Sequence, residues 1–192
     1  MSAIIESLRQ DHRSFEDLLQ VLEEEVAVFE RAERPDYEIL EAIVSYFQGY
    51  PDCCHHPKED AVFRRLKERN PGAADAIGDL EAEHVVAAQQ LFRFAEAVEN
   101  VLGELDVPRE GFNQAARAFI KHERRHMKME EKQFFPAALD VLTDKDWAEL
   151  DAKLTDKKDP LVPGQLEEAF KTLQGRILKW EQEDQAQRSP VE

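Results

Sequence analysis

The stretch PDCCHHPKED, residues 51–60, sets two cysteines and two histidines between prolines, with acids at Asp52, Glu59 and Asp60. Taken alone it suggests zinc, but a tetrahedral site needs two thiolates and two imidazoles converging on one point. Consecutive helical residues diverge by about 100°, and finger-type cysteines are separated by two or more residues. The spacing that matters is His55 to Glu59, one helical turn, which lets both side chains reach one metal ion or a neighbouring pair of ions. Pro57 lies between them, removes a backbone donor and crowds the carbonyl of Cys53. A kink or a fresh helical start is expected there, and a sharp bend would exchange His55 and Glu59 for His56 and Asp60.

Outward from this stretch the chain reads as helix. Ile5, Leu8, Phe15, Leu19, Leu22, Val26 and Phe29 form one helical face over residues 3–31. A second pattern runs over 36–69 through Leu40, Val44, Phe47, Val62 and Leu66, and RNPG stops it. The third, 73–105, runs from Ile77 and Leu80 to Val101 and Leu105; the fourth begins near Pro108 and reaches about 142 through Phe112, Phe119, Phe134 and Val141. Four long amphipathic helices with short links predict an all-α fold, an antiparallel up-down four-helix bundle over residues 1–143 with additional C-terminal helices in 144–192. In that extension Thr143 opens a short helix over 146–154, with Asp146 as its capping acid. The polar linker TDKKDPLVPG follows, then an amphipathic helix through Leu166, Phe170, Leu173, Ile177 and Trp180 that covers the bundle or meets a partner chain, and a frayed QAQRSPVE end.

The histidines fall on these stripes. His12 lies four residues after Leu8 and His84 four after Leu80; His126 lies seven after Phe119, with Glu130 one turn further. A lone histidine on an apolar face is usually a satisfied core group. Four of them on four helices, with two acids whose burial demands compensation, point to metal. The halves of the chain also correspond: His12 to His84 is 72 residues, while His55 to His126, Glu59 to Glu130 and Phe63 to Phe134 are each 71. Two apolar stripes align at that offset by helical periodicity alone, so the information lies in the matching His and Glu positions. They predict a pseudo-twofold bundle with two equivalent metal positions. His56 corresponds to Met127 and His122 to Pro51, so neither belongs to the repeated set. A solvated face is expected for Glu16, His56 and Asp60, and His122 could touch the site or its surroundings from one turn before His126.

A chain of 192 residues with net charge −16 carries no basic cluster, which argues against a nucleic-acid partner. No signal-peptide block or long apolar run stands out, so no membrane partner and a cytoplasmic protein are expected. Cys53 and Cys54 are adjacent, too close for ordinary disulfide geometry, and are expected as reduced core thiols. No nucleophile triad or phosphate loop appears.

Asp11-His12, HHPKED (55–60), Glu83-His84, HMKMEE (126–131) and FFP (134–136) together resemble the hemerythrin-like family, the HHE cation-binding domains of bacteria, over residues 1 to about 143. The resemblance implies a non-haem di-iron centre, oxo- or hydroxo-bridged, with His12, His55, Glu59, His84, His126 and Glu130 as ligands. Imidazole and carboxylate donors suit iron first and manganese or zinc after it. Oxygen carriers of the family have further histidines on the third helix, whereas the position one turn after His84 is Ala88, which argues against carrier-type oxygen transport. The implied function is binding or sensing of O2, nitric oxide or peroxide, with weak peroxide-consuming or oxidase activity as a possible extension. Two alternatives stand beside it. A ferritin-like di-iron oxidase is suggested by ExxH at Glu81/His84 and Glu123/His126, although the crossover it requires is missing. A metal-free helical interaction module would form a homodimer through residues 164–183.

Overall fold

The computed structural model of the protein describes residues 2–103, 109–155 and 163–188, and among them every regular element is helical. The first is α1 (Ala3–Glu30). Next comes α2 (Tyr37–Tyr50), started by Asp36, whose side chain accepts from the Glu38 and Ile39 amides. A π-helical turn (Pro51–His55) leads directly into α3 (His56–Arg69). After α4 (Pro71–Ile77) and α5 (Leu80–Leu102), α6 (Arg109–Met129) passes through a second π turn (Glu130–Phe134) into α7 (Phe135–Val141). The extension holds α8 (Asp144–Thr155) and α9 (Pro163–Arg188).

The two π turns follow from two prolines. Pro57 and Pro136 cannot donate to the carbonyl four residues back and would crowd it. In each case the wider turn just upstream moves the ladder instead: His56 N donates to Pro51 O, and Phe135 N to Glu130 O. The sequence predicts a kink or a fresh helical start at Pro57, and α3 starts afresh at His56, directly after the π turn.

The third expected helix is two helices. Gly78, at φ 99°, turns the chain where a side chain would be strained, and Asp79 caps α5 by accepting from Ala82 N. The apolar stripe keeps its phase across this break, so periodicity alone hides it. Pro108, Leu105, most of the polar linker and the last residues of the frayed end lie outside the described residues.

The interior is two apolar clusters with a polar layer between them. One gathers Phe15, Leu19, Phe47, Phe94 and Phe119 with their neighbours; the other gathers Ile5, Leu8, Val62, Leu66, Phe134 and Phe135. His12 lies between Leu8 and Phe15 on α1, and so marks the layer. Helix α9 lays Ile177, fully buried, and Phe170 against the first cluster, with Phe170 edge-on to Tyr46 and Tyr50. Gly49 leaves room for that ring, because a Cβ there would run into Phe170 Cζ. At the other end, Thr143 and Asp146 cap α8 reciprocally. Asp146, buried, also accepts from Arg65 and Arg69 of α3 at 2.6 and 2.7 Å. The Arg69 guanidinium, with Thr143 and Arg65, holds the Asp146 carboxyl far below its ordinary range despite its burial.

Candidate metal centre

Every one of the six ligand candidates points into the polar layer. Two groups of donors form there, each with its ligand atoms within 4.8 Å of one another: His12, His55, Glu59 and Glu130, and His56, Glu59, His84 and His126. Glu59 is common to both. Its Oε1 stands 3.1 Å from His55 Nε2 and 3.9 Å from His12 Nε2, and its Oε2 stands 3.3 Å from His84 Nε2. Glu130 is the opposite straddle, with Oε1 3.2 Å from His126 Nε2 and Oε2 3.3 Å from His12 Nε2.

The internal correspondence appears as paired rings. His12 and His55 have centroids 5.0 Å apart, His84 and His126 5.1 Å, and Phe63 meets Phe134 edge-on at 5.7 Å. His56 breaks the pattern. It stacks on His84 at 3.9 Å and joins the second group, where a solvated face is the expectation from sequence. The expectation assumes a regular helix, in which adjacent side chains diverge by about 100°. The π turn ending at His55 changes that register and lets consecutive histidines serve both groups. Glu16 is exposed and pairs with Arg124; Asp60 is half-buried and stands outside both groups. His122 stacks on His126 without entering either.

A further surrounding of polar groups, only hinted at by the DH pair, orients the rings. Asp11 is buried and accepts from His55 Nδ1 at 3.1 Å, from Tyr50 Oη at 2.8 Å and from Lys58 Nζ at 3.2 Å. Glu131 holds His12 Nδ1 at 3.1 Å and is itself held by Arg9. A carboxylate can only accept, so each Nδ1 carries a proton, and the neutral His12 ring keeps its Nε2 lone pair toward the layer. His56 Nδ1 meets Asp52, an exposed residue, at 3.0 Å.

The donors of the layer differ in charge state. Burial pulls His12 and His56 down to about 4 and His126 to about 3, so these imidazoles are neutral at neutral pH. Burial also opposes a charged His55, but Glu59 and Asp11 outweigh it and raise this ring to about 9. Glu59 is likewise held ionised against burial, first by His55, while burial and the Glu59 charge push Glu130 well up. Hydrogen bonding does not complete the layer. Nε2 of His12, His84 and His126 and all four oxygens of Glu59 and Glu130 are buried without a hydrogen-bond partner. Buried polar atoms are normally satisfied, and two metal ions between these donors would satisfy this set.

Cys53 and Cys54 are joined by a disulfide, against the expectation of reduced thiols. Their Cα atoms are 3.7 Å apart, as a shared peptide bond dictates; the usual window for bridged residues describes cysteines separated in sequence and does not govern neighbours. Cys54 belongs to the apolar cluster and stands in neither donor group. Beside His56 and His84 opens a cavity of 240 Å³, walled by Phe47, Leu91, Phe92 and Phe119, with Glu123 also lining it. Burial raises Glu123 to about 7.

The family model for the hemerythrin HHE cation binding domain matches residues 3–138. Comparison with curated proteins and with solved structures yields no significant match.

Proposed function

The chain belongs to the hemerythrin HHE cation-binding family, and from this premise we propose that it is a di-iron protein that binds or senses O2, nitric oxide or peroxide. The observation that carries the reading is the pair of donor groups sharing Glu59, filled with buried atoms that nothing else satisfies. His12, His55, Glu59 and Glu130 would hold one ion, and His56, Glu59, His84 and His126 the other. Bound iron would supply redox chemistry and coordination positions for a small ligand.

The remaining parts of the site have definite tasks. Asp11 and Glu131 hold Nδ1 of His55 and His12 and so orient both rings; bound metal would take the place of the second proton on His55 Nε2. The cavity beside His56 and His84 admits a small ligand between apolar walls, and Glu123, half-protonated near neutrality, can give or take a proton there. In this reading residues 1–143 are the antiparallel up-down four-helix unit: α1, α2 with α3, α5, and α6 with α7 are joined by short links. Residues 144–192 are an extension packed on it, and a homodimer through α9 would have to use residues that this helix does not turn to the bundle. A ferritin-like arrangement would give His12 and His55 no role, although both stand in a donor group. A cytoplasmic location belongs to the same proposal; no helix among the described residues is long and apolar enough to cross a membrane.

Metal analysis of protein from iron-supplemented cells tests the reading. Two irons per chain, one for each group, are expected, with visible absorption that changes on adding nitric oxide or peroxide. Stoichiometric zinc, or no bound metal, would overturn it.

A further inference from the structure

Between α2 and α3 the chain carries a cross-link that the donor layer does not use. Cys53 and Cys54 are joined inside the π turn Pro51–His55, and neither belongs to a donor group. A disulfide stabilises a fold mainly by closing a loop of the unfolded chain, and the gain shrinks with the loop; between neighbours there is almost no loop to close. Nor does the turn itself need the link. The second π turn, Glu130–Phe134, forms ahead of Pro136 with no cysteine in it. The two sulfurs also differ in access: Cys54 is buried in the apolar cluster, while Cys53 is half-buried at its margin, next to the exposed Asp52. An accessible thiol with a second thiol beside it is the arrangement that reacts with peroxide and then closes on itself. In a reducing compartment, which the proposed cytoplasmic location implies, disulfides are rare and are mostly transient, catalytic or redox-sensing ones.

We propose that Cys53 and Cys54 are a reversible dithiol–disulfide site for peroxide, whose state sets how firmly the π turn holds His55 and His56. The Cys53 thiol gives up its proton and its sulfur attacks one peroxide oxygen. An S–O bond forms, the O–O bond breaks, and the leaving oxygen takes up that proton and departs as water. The Cys54 sulfur then attacks the sulfenic sulfur: the S–S bond forms, the S–O bond breaks, and the Cys54 proton leaves with the oxygen as a second water. The two thiols together lose two electrons, and one hydrogen peroxide is reduced to two waters. A small-molecule thiol or dithiol reverses the change by exchange through a mixed disulfide, and is itself oxidised to its own disulfide.

The pair reaches the donor layer through the backbone. While the bond stands, the ring that it closes through the shared peptide fixes the two backbone rotations on either side of that peptide. Those rotations lie in the turn that ends at His55 and brings His56 into the cavity-side group. Opening the ring frees them immediately ahead of both histidines. The thiol chemistry needs no iron, whereas the consequence for bound metal rests on the di-iron reading.

Mass spectrometry and hydrogen exchange on the metal-free full chain test both parts of the proposal. Reduced protein should take one alkyl group on each cysteine, and an equimolar amount of hydrogen peroxide, added first, should abolish that labelling. Cys54→Ser should stop at a sulfenic acid on Cys53, trapped by dimedone, and Cys53→Ser should give several-fold less trapping; circular dichroism checks that both variants fold. Amides between Asp52 and Asp60 should exchange several-fold faster in the dithiol form, with those between Glu130 and Phe135 unchanged as the internal reference. The proposal fails if peroxide does not close the reduced pair, if Cys54→Ser forms no sulfenic acid, or if exchange between Asp52 and Asp60 is the same in both forms. In iron-loaded protein the dithiol form should release iron to a chelator several-fold faster than the disulfide form, and equal rates would overturn the coupling to the layer. Protein that binds no iron would overturn the di-iron reading alone, because the thiol and exchange measurements are made without metal.

Discussion

The two donor groups share a carboxylate but differ in how their imidazoles are held. In the first, His12 and His55 are buried, and both Nδ1 atoms lie on carboxylates that are themselves anchored, Glu131 by Arg9 and Asp11 by Tyr50 and Lys58. In the second, His56 and His84 line the cavity, His56 leans on the exposed Asp52, and His126 Nδ1 has no hydrogen-bond partner. The difference teaches a division of labour within one layer. In the proposed di-iron reading the braced group would favour tight, invariant binding of its ion, and the group with looser supports beside the cavity would favour exchange of ligands. The π turn ending at His55 produces this asymmetry, because it adds His56 to one half of a chain whose other half offers Met127 at the corresponding position.

The most severe test removes what the groups share. Glu59→Gln keeps the shape and deletes the charge that faces His12, His55 and His84, so iron should fall from both groups together. Metal analysis showing one iron retained would mean that the groups are independent and that Glu59 does not bridge them. His56→Ala acts on one side only. It should empty or weaken the cavity-side position and leave the braced one filled, while Asp60→Asn changes neither. Equal loss from both positions would break the division of labour.

Much of this was legible from the chain. The stripes place four histidines and two acids in one layer because side-chain direction follows the helical period, and the 71-residue correspondence pairs His55 with His126 and Glu59 with Glu130. What escaped reading were features that depart from an ideal helix by a residue or less. The correspondence with Met127 puts His56 outside the repeated set, and the π turn before Pro57 brings it into a donor group all the same. Pro136 carries the same signal in the other half, inside the FFP motif. Gly78 interrupts a stripe without shifting its phase. The hydrogen bonds of Asp11 span from α1 to Tyr50 and His55, so spacing along one helix could not reveal them.

Acid should separate the rings by their surroundings. In the metal-free protein His12 and His56 titrate near 4 and His126 near 3, below the ordinary value of about 6.5. Between these values the unfolded chain takes up protons that the folded protein refuses, so stability falls as pH drops from about 6.5 toward 4. His55, raised to about 9, works in the opposite sense: its contribution is fully present below about 6.5 and is lost as pH rises through 9. Chemical denaturation of metal-free protein across pH 4–9 should show the acid-side slope reduced in His126→Gln and the alkaline-side loss reduced in His55→Gln. Unchanged slopes in both variants would mean that these rings titrate as exposed ones do.

The gentlest change compares the supports themselves. Asp11→Asn keeps the size of the side chain but replaces a group that can only accept with one that can also donate, and it removes the negative charge beside His55 and Lys58. Loss of such an outer carboxylate typically lowers metal affinity by about 10–100-fold, and that range is expected for the braced position. Asp52→Asn makes the same substitution at His56, but Asp52 is 83% exposed, and water can replace its hydrogen bond. Its effect should be several-fold at most, since exposed ionic contacts contribute only about 0–1 kcal/mol. Competition with a chelator, following iron released from each variant, distinguishes the two cases. A larger loss from Asp52→Asn than from Asp11→Asn would reverse the assignment of braced and exchangeable groups, and would place the ligand-binding position on the His12 side of the layer.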